Sequence, residues 1–136
     1  MFLLEKTRVV GAPAAERNFH VFYQMLAAPA PMRAAFGLKT GDNVSTFKYL
    51  TAGGSGAPRD DDGAAFQRTC RSMDALGLSS DTQRAMWSTV AGILALGEVE
   101  FGESADGSAV LHRAQPLSPR RWGQAAPSTS KSTVER

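Results

Sequence analysis

Leu3-Leu4-Glu5-Lys6-Thr7-Arg8-Val9-Val10 and Glu16-Arg17-Asn18-Phe19-His20-Val21-Phe22-Tyr23-Gln24 follow one another near the start of this 136-residue chain. In the second stretch Phe19, Phe22, Tyr23 and Leu26 recur at spacings of three and four, with Arg17, Val21 and Gln24 opposite. That stripe predicts a helix over about residues 14–28, ended by Pro29 and Pro31. The first stretch, with Leu3, Leu4, Val9 and Val10, reads as a strand over residues 2–10.

The same periodicities extend along the chain. A short helix is expected over residues 31–36, where Pro31 suits a first turn and Gly37 a stop. Over residues 61–76, Phe66, Cys70, Met73 and Leu76 line one face, acidic residues favour the start, and Gly77 closes the helix. A fourth helix starts near Ser79 or Ser80, carries Met86, Trp87, Val90, Ile93 and Leu94 as its stripe, and stops at Gly97. Residues 47–50 and 98–101 read as short strands, and residues 109–112, after the Asp106-Gly107 turn signal, pair with 98–101 as a hairpin. The fold class is mainly α with a few short β-strands.

The two opening stretches, in this order and spacing, closely resemble consecutive segments of the myosin motor domain. There a strand ending Leu-Leu-Glu-Lys-Ser-Arg-Val leads into a helix reading Glu-Arg-Asn-Phe-His-x-Phe-Tyr-Gln, so Thr7 replaces the usual serine. Tyr49-Leu50, Asp60-Asp61-Asp62, Phe66 and Met73-Asp74-Ala75-Leu76-Gly77-Leu78 continue the resemblance, with Leu78 where Phe is commoner. Ile93-Leu94-Ala95-Leu96-Gly97-Glu98-Val99-Glu100-Phe101 is similar to the family's Ile-Leu-His-Leu-Gly-Asn-Ile-x-Phe, with Ala95 and Glu98 departing. The match runs from Phe2 to about Val110 and fails beyond His112. Residues 1–112 are therefore expected to be part of a motor domain, and residues 113–136 a basic, Pro/Ser-rich, disordered tail.

The resemblance implies a fragment of an α/β P-loop-type motor domain, from just after the first switch and within the upper actin-cleft subdomain. It implies an actin-based, ATP-driven cytoskeletal motor, with actin filaments and the remainder of the motor domain as partners and a cytoplasmic, cytoskeleton-associated location. ATP and magnesium belong to the complete family domain. Its phosphate-binding Gly-x-x-x-x-Gly-Lys-Thr loop and both switch motifs do not occur in this sequence. Gly53-Gly54-Ser55-Gly56-Ala57-Pro58 is glycine-rich but no Lys-Thr or Lys-Ser follows, so it reads as a flexible loop. The chain alone is expected to be inactive, with no catalytic, cofactor-binding or metal residue assigned. The alternatives are a non-catalytic helical interaction module, in which Phe19, Tyr23 or Trp87 form the binding face, and a truncated gene product without independent activity. The first strand would also lie without its sheet neighbours, leaving the fragment marginal.

Composition adds bounds. With 43% hydrophobic and 21% charged residues the chain is ordinary globular material. One cysteine, Cys70, excludes an internal disulfide and favours a reducing compartment. Met1-Phe2-Leu3-Leu4 is interrupted by Glu5 and Lys6, too short an apolar run for a signal peptide or membrane helix, so no membrane partner is expected. Through His112 ten Lys or Arg stand against twelve Asp or Glu, a balance of −2; from Arg113 five stand against one, giving +4. Arg120-Arg121-Trp122 is too small a basic cluster to indicate nucleic acid.

Other chemistry-bearing residues read as structural. Glu16 and His20 fall four apart on the expected helix and make a surface pair, too few ligands for a metal. Asp60, Asp61 and Asp62 read as helix-start acidity, and Cys70, on an apolar stripe, as a buried structural thiol.

Overall fold

The computed structural model describes residues 5–14, 16–52 and 57–113. After a single 3-10 turn at Lys6–Val9 come α1 (His20–Leu26), α2 (Ala30–Phe36), a 3-10 turn at Val44–Thr46, α3 (Lys48–Thr51), α4 (Asp62–Ala75) and α5 (Ser80–Leu96). An antiparallel hairpin of β1 (Glu100–Glu103) and β2 (Ala109–Arg113) follows.

Local chemistry sets the ends of the long helices. Ser79 Oγ accepts the Thr82 N–H at 3.2 Å, capping the start of α5, and Asp81 adds negative charge in its first turn. The helices α2 and α4 end alike. The Leu38 N–H bonds Arg33 O at 3.0 Å, the Leu78 N–H bonds Met73 O at 3.1 Å, and the residue between helix and donor is a left-handed glycine, Gly37 or Gly77. Arg33 then ties elements together, donating through Nη1 to Leu26 O at the end of α1 and to Asp42 O.

The core forms where α1 packs on α4 and α5 while α2 packs on α5. Its centre is aromatic: Trp87 lies 5.9 Å from Phe36, nearly parallel at 25°, and 5.0 Å from Phe66 at 49°. Tyr23, Met25, Ala91 and Leu94 fill the space around these rings and are excluded from solvent. The buried stripe of α5 is Trp87, Ala91 and Leu94, spaced four and three. Val90 and Ile93 are half-buried beside it, and Met86, expected in the stripe, is exposed. Leu76 is likewise exposed, because it lies in the turn after α4 rather than on its face.

Three further expectations change. Residues 6–9 form a 3-10 turn, not a strand; Arg8 bonds Glu5 at 2.7 Å, Glu16 at 2.7 Å and Arg17 O at 3.0 Å, folding the segment back. No described strand lies beside it to supply a ladder, and residues 2–4 lie outside the described residues. Residues 48–51 are helical rather than extended, because the buried Glu98 carboxylate accepts the Lys48 N–H at 2.6 Å where the turn begins. The first helix begins at His20, not near residue 14, because Asn18 Oδ1 accepts the Phe19 N–H at 2.7 Å just ahead of it. The hairpin forms as expected, with Phe101 opposite Leu111 and Glu103 opposite Ala109, but its first strand starts at Glu100 instead of Glu98. The expected tail lies outside the described residues.

Two measurements check this arrangement. Leu94→Ala is expected to cost about 2–5 kcal/mol and the half-buried Ile93→Ala less; an unchanged urea midpoint for Leu94→Ala would contradict the assigned core. In the hairpin turn the Ser104 and Ser108 hydroxyls, with the Ser108 N–H, hold the Asp106 carboxyl well below the usual carboxylate range. A depressed folded pKa gives stability that is present above the unfolded value of about 3.9 and lost as pH falls. The protection of the Gly107 and Ser108 amides, taken relative to their intrinsic exchange rates at each pH, should therefore fall as the pH drops below that range, and Asp106→Asn should blunt the pH response.

Candidate functional site

Two features carry the chain's interaction chemistry: a buried polar junction before α1 and an uncovered apolar hairpin face after α5. At the junction Arg17 Nη2 donates to Asp62 Oδ2 at 2.6 Å, with both side chains more than nine-tenths buried. The Arg17 guanidinium carbon lies 3.8 Å from the centre of the Tyr23 ring, so the cation is held between a carboxylate and an aromatic face. Asp62 Oδ2 also accepts the Arg59 N–H at 2.7 Å. Arg17 Nε is buried with no hydrogen-bond partner among the described residues.

Asn18 completes the junction. Its Nδ2 donates to Val9 O at 3.0 Å and Tyr49 O at 2.8 Å, and its N–H donates to the Tyr23 hydroxyl at 3.2 Å. One dipeptide thereby joins the N-terminal turn, α1, α3 and α4. On the next layer Thr69 Oγ1 donates to Gln24 Oε1 at 2.9 Å, so Gln24, expected on the solvent side, links α1 to α4.

The structure separates the residues that sequence spacing had paired. Glu16 lies ahead of α1 and bonds Arg8 at 2.7 Å, while His20 opens the helix and is exposed, so they form no i,i+4 pair. Asp62 is the buried ion-pair partner of Arg17, whereas Asp60 and Asp61 are exposed. Cys70 is half-buried; burial pushes its thiol above the ordinary range, opposed in part by the Trp87 indole N–H. Among the described residues no group of three or more His, Cys, Asp or Glu is placed to hold a metal. Residues 53–56 of the glycine-rich loop and the Arg120-Arg121-Trp122 cluster lie outside the described residues. Asn18 and Glu98 were the residues that sequence reading missed. An Asn just before an apolar stripe is a signal for a helix entry; nothing local marks Glu98, whose bonded partner is Lys48.

The second feature is apolar. Phe101 is 72% exposed and Leu111, its partner across the hairpin, 57%. Val110, opposite Gly102 and on the other face of the hairpin, and Leu96, at the end of α5, are also exposed. A two-stranded hairpin with uncovered apolar side chains is a surface made to be covered. No helix of the described residues is long and apolar enough to cross a membrane.

With this geometry in hand, residues 1–120 match the family model for the myosin head (motor domain). The Myosin ID heavy chain of Dictyostelium discoideum is 39% identical over 112 residues, covering 81% of this chain and 10% of that protein. The Myosin IC heavy chain of Acanthamoeba castellanii is 38% identical over 120 residues, 85% of this chain and 10% of that one. Human Unconventional myosin-XV is 41% identical over 105 residues, 74% of this chain and 3% of its own length. The chain thus spans about a tenth or less of these relatives.

Removing one partner of the junction should expose its importance. Arg17→Met leaves Asp62 buried without its cation and is expected to cost about 3–5 kcal/mol, with much of the loss recovered in an Arg17→Met, Asp62→Leu double variant. Equal destabilisation of the single and double variants in urea would mean that the ion pair is not the coupling element.

Proposed function

This chain belongs to the myosin head (motor domain) family, and from that premise we propose that it serves as a helical segment of an actin-based, ATP-driven motor. The carrying observation is the match over residues 1–120, to which the geometry adds a self-consistent interior and an uncovered hairpin face. In this reading Phe101 and Leu111 are covered by the remainder of a motor domain, and residues 113–136, of which 113–120 fall within the matched span, form a basic tail. Actin filaments are the proposed partner of the whole motor, and the proposed location is cytoplasmic and cytoskeleton-associated. Neither a membrane nor nucleic acid is a proposed partner.

ATP and magnesium are proposed to be held by parts of a motor domain other than this sequence. Phosphoryl transfer needs a loop whose amides and lysine surround the phosphates, a hydroxyl on the metal and a group orienting water. The sequence has no Gly-Lys-Thr or Gly-Lys-Ser loop to supply the first two. Its contribution is structural: it carries the polar junction and the aromatic core that fix the position of its exposed faces.

Two assays separate a motor segment from an independent interaction module. The purified 136-residue chain should show no saturable, magnesium-dependent ATP binding in the micromolar range. Grafted in place of the corresponding segment of an active myosin motor domain, residues 5–113 should sustain actin-activated ATPase activity. Tight nucleotide binding by the chain alone, or a well-folded but inactive graft, would overturn the proposal.

A further inference from the structure

Two Asp-Gly dipeptides occur in the chain, Asp62-Gly63 and Asp106-Gly107, and no Asn-Gly. An Asp-Gly pair has the least obstructed route to backbone rearrangement, because glycine has no side chain to keep its amide nitrogen away from the preceding carboxyl carbon. The fold treats the two pairs oppositely. Asp62 is 4% exposed at the start of α4, where its Oδ2 is fixed by the Arg17 guanidinium at 2.6 Å and the Arg59 N–H at 2.7 Å. Asp106 and Gly107 are exposed at the tip of the β1–β2 hairpin, with Gly107 in the left-handed region at a φ of 81°.

At that tip the nitrogen and the carboxyl are both engaged elsewhere. The Gly107 N–H donates to Ser104 O at 2.9 Å. Asp106 Oδ1 accepts the Ser104 hydroxyl, the Ser108 hydroxyl at 2.6 Å and the Ser108 N–H at 3.0 Å. These bonds favour the ionised carboxylate, a poor acceptor for a nitrogen nucleophile. They last only while the turn is closed, and a two-stranded hairpin opens locally at far lower cost than the core. Freeing Asp62 instead requires breaking a buried ion pair.

We propose that Asp106-Gly107 is a site of spontaneous succinimide and isoaspartate formation in the folded chain, and that Ser104 and Ser108 set its rate by holding the turn closed. In the open turn the Gly107 nitrogen attacks the carbon of the protonated Asp106 side-chain carboxyl. A nitrogen–carbon bond forms, the amide proton and the carboxyl hydroxyl leave as water, and a cyclic imide results. Water then adds at either imide carbonyl and breaks that carbon's bond to nitrogen, restoring the aspartyl linkage or yielding its β-linked isomer. The water lost in the first step is regained in the second, so no oxidant or other reactant is required. The β-linked product places the Asp106 Cβ in the main chain and takes the acceptor from the Ser108 N–H, so the turn no longer fits the register that sets Glu103 opposite Ala109 and Phe101 opposite Leu111. The inference does not depend on what covers Phe101 and Leu111.

Ageing of the full 136-residue chain at neutral pH, natively and in guanidinium chloride, tests the proposal. Isoaspartate is read in the tryptic peptides 60–68 and 85–113 by methyl transfer from an L-isoaspartyl methyltransferase and by chromatographic separation of isomers of equal mass. In the native chain it should accumulate in 85–113 and not in 60–68, whereas in guanidinium it should accumulate in both and faster. A Ser104→Ala, Ser108→Ala double variant should raise the native rate in 85–113 roughly two- to tenfold, the effect of lost hydrogen bonds, and leave the guanidinium rate unchanged. Asp106→Glu, whose longer side chain closes a larger ring far more slowly, should abolish the product in that peptide. No isoaspartate in native 85–113 when the guanidinium sample shows it, equal rates in the two native peptides, or an unchanged native rate in the serine double variant would overturn the proposal.

Discussion

Arg17 and Asp62, 45 residues apart in the chain, meet at 2.6 Å inside the protein, and the assembly of the four segments around them follows from that contact. Taking both charges out of water is costly, and their attraction roughly offsets that cost rather than exceeding it. The contribution of the pair is therefore geometric. With the guanidinium over Tyr23 and the carboxylate also accepting the Arg59 N–H, the pair ties the start of α4 to α1 through both ions. Asn18 then extends the same constraint to Val9 and Tyr49.

Burial supplies the free energy that the ion pair does not. Helices of seven residues, such as α1 and α2, are too short to persist alone in water. They form because α5, with 17 residues, offers Trp87, Ala91 and Leu94 as a continuous surface on which both lie. Phe36 reaches Trp87 from α2 and Phe66 reaches it from α4, so one indole receives an aromatic ring from each. The division of labour is clear: the polar junction selects the arrangement, and the aromatic centre stabilises it.

Legibility in the sequence tracks how local each cause is. The bounds of α2, α4 and α5 were readable because their determinants, Pro31, Gly37, Ser79 and Gly77, lie within a turn of the ends they set. The hairpin was readable from Asp106-Gly107 for the same reason. The strands expected over residues 2–10 and 47–50 give way to a 3-10 turn at 6–9 and a helix at 48–51, because an apolar run does not reveal what lies beside it. In one case the decisive partners are Glu16 and Arg17, in the other Glu98, and neither partner belongs to the local pattern. Asp62 looked like helix-start acidity and does occupy a first turn, but its ion pair comes from a residue that no periodicity connects to it. A groove between α2, α4 and α5, lined by Met32, Phe36, Cys70 and Trp87, had no sequence signature, since its lining comes from three helices.

The distribution of satisfied and uncovered groups bears on how a segment of a larger domain holds its shape. Where α1, α3, α4 and the N-terminal turn meet, the polar atoms of Asn18 and Asp62 find their partners within the segment itself. At the hairpin the reverse holds: Phe101 and Leu111 face each other across two strands and remain open to water. A two-stranded sheet has little stability of its own and needs a third element on its apolar face. Thus the hydrogen-bonded interior is specified from within, whereas the hairpin is where outside contacts would contribute most. Substitutions at the polar junction should therefore act on folding of the segment, and substitutions at Phe101 or Leu111 on its association with whatever covers them.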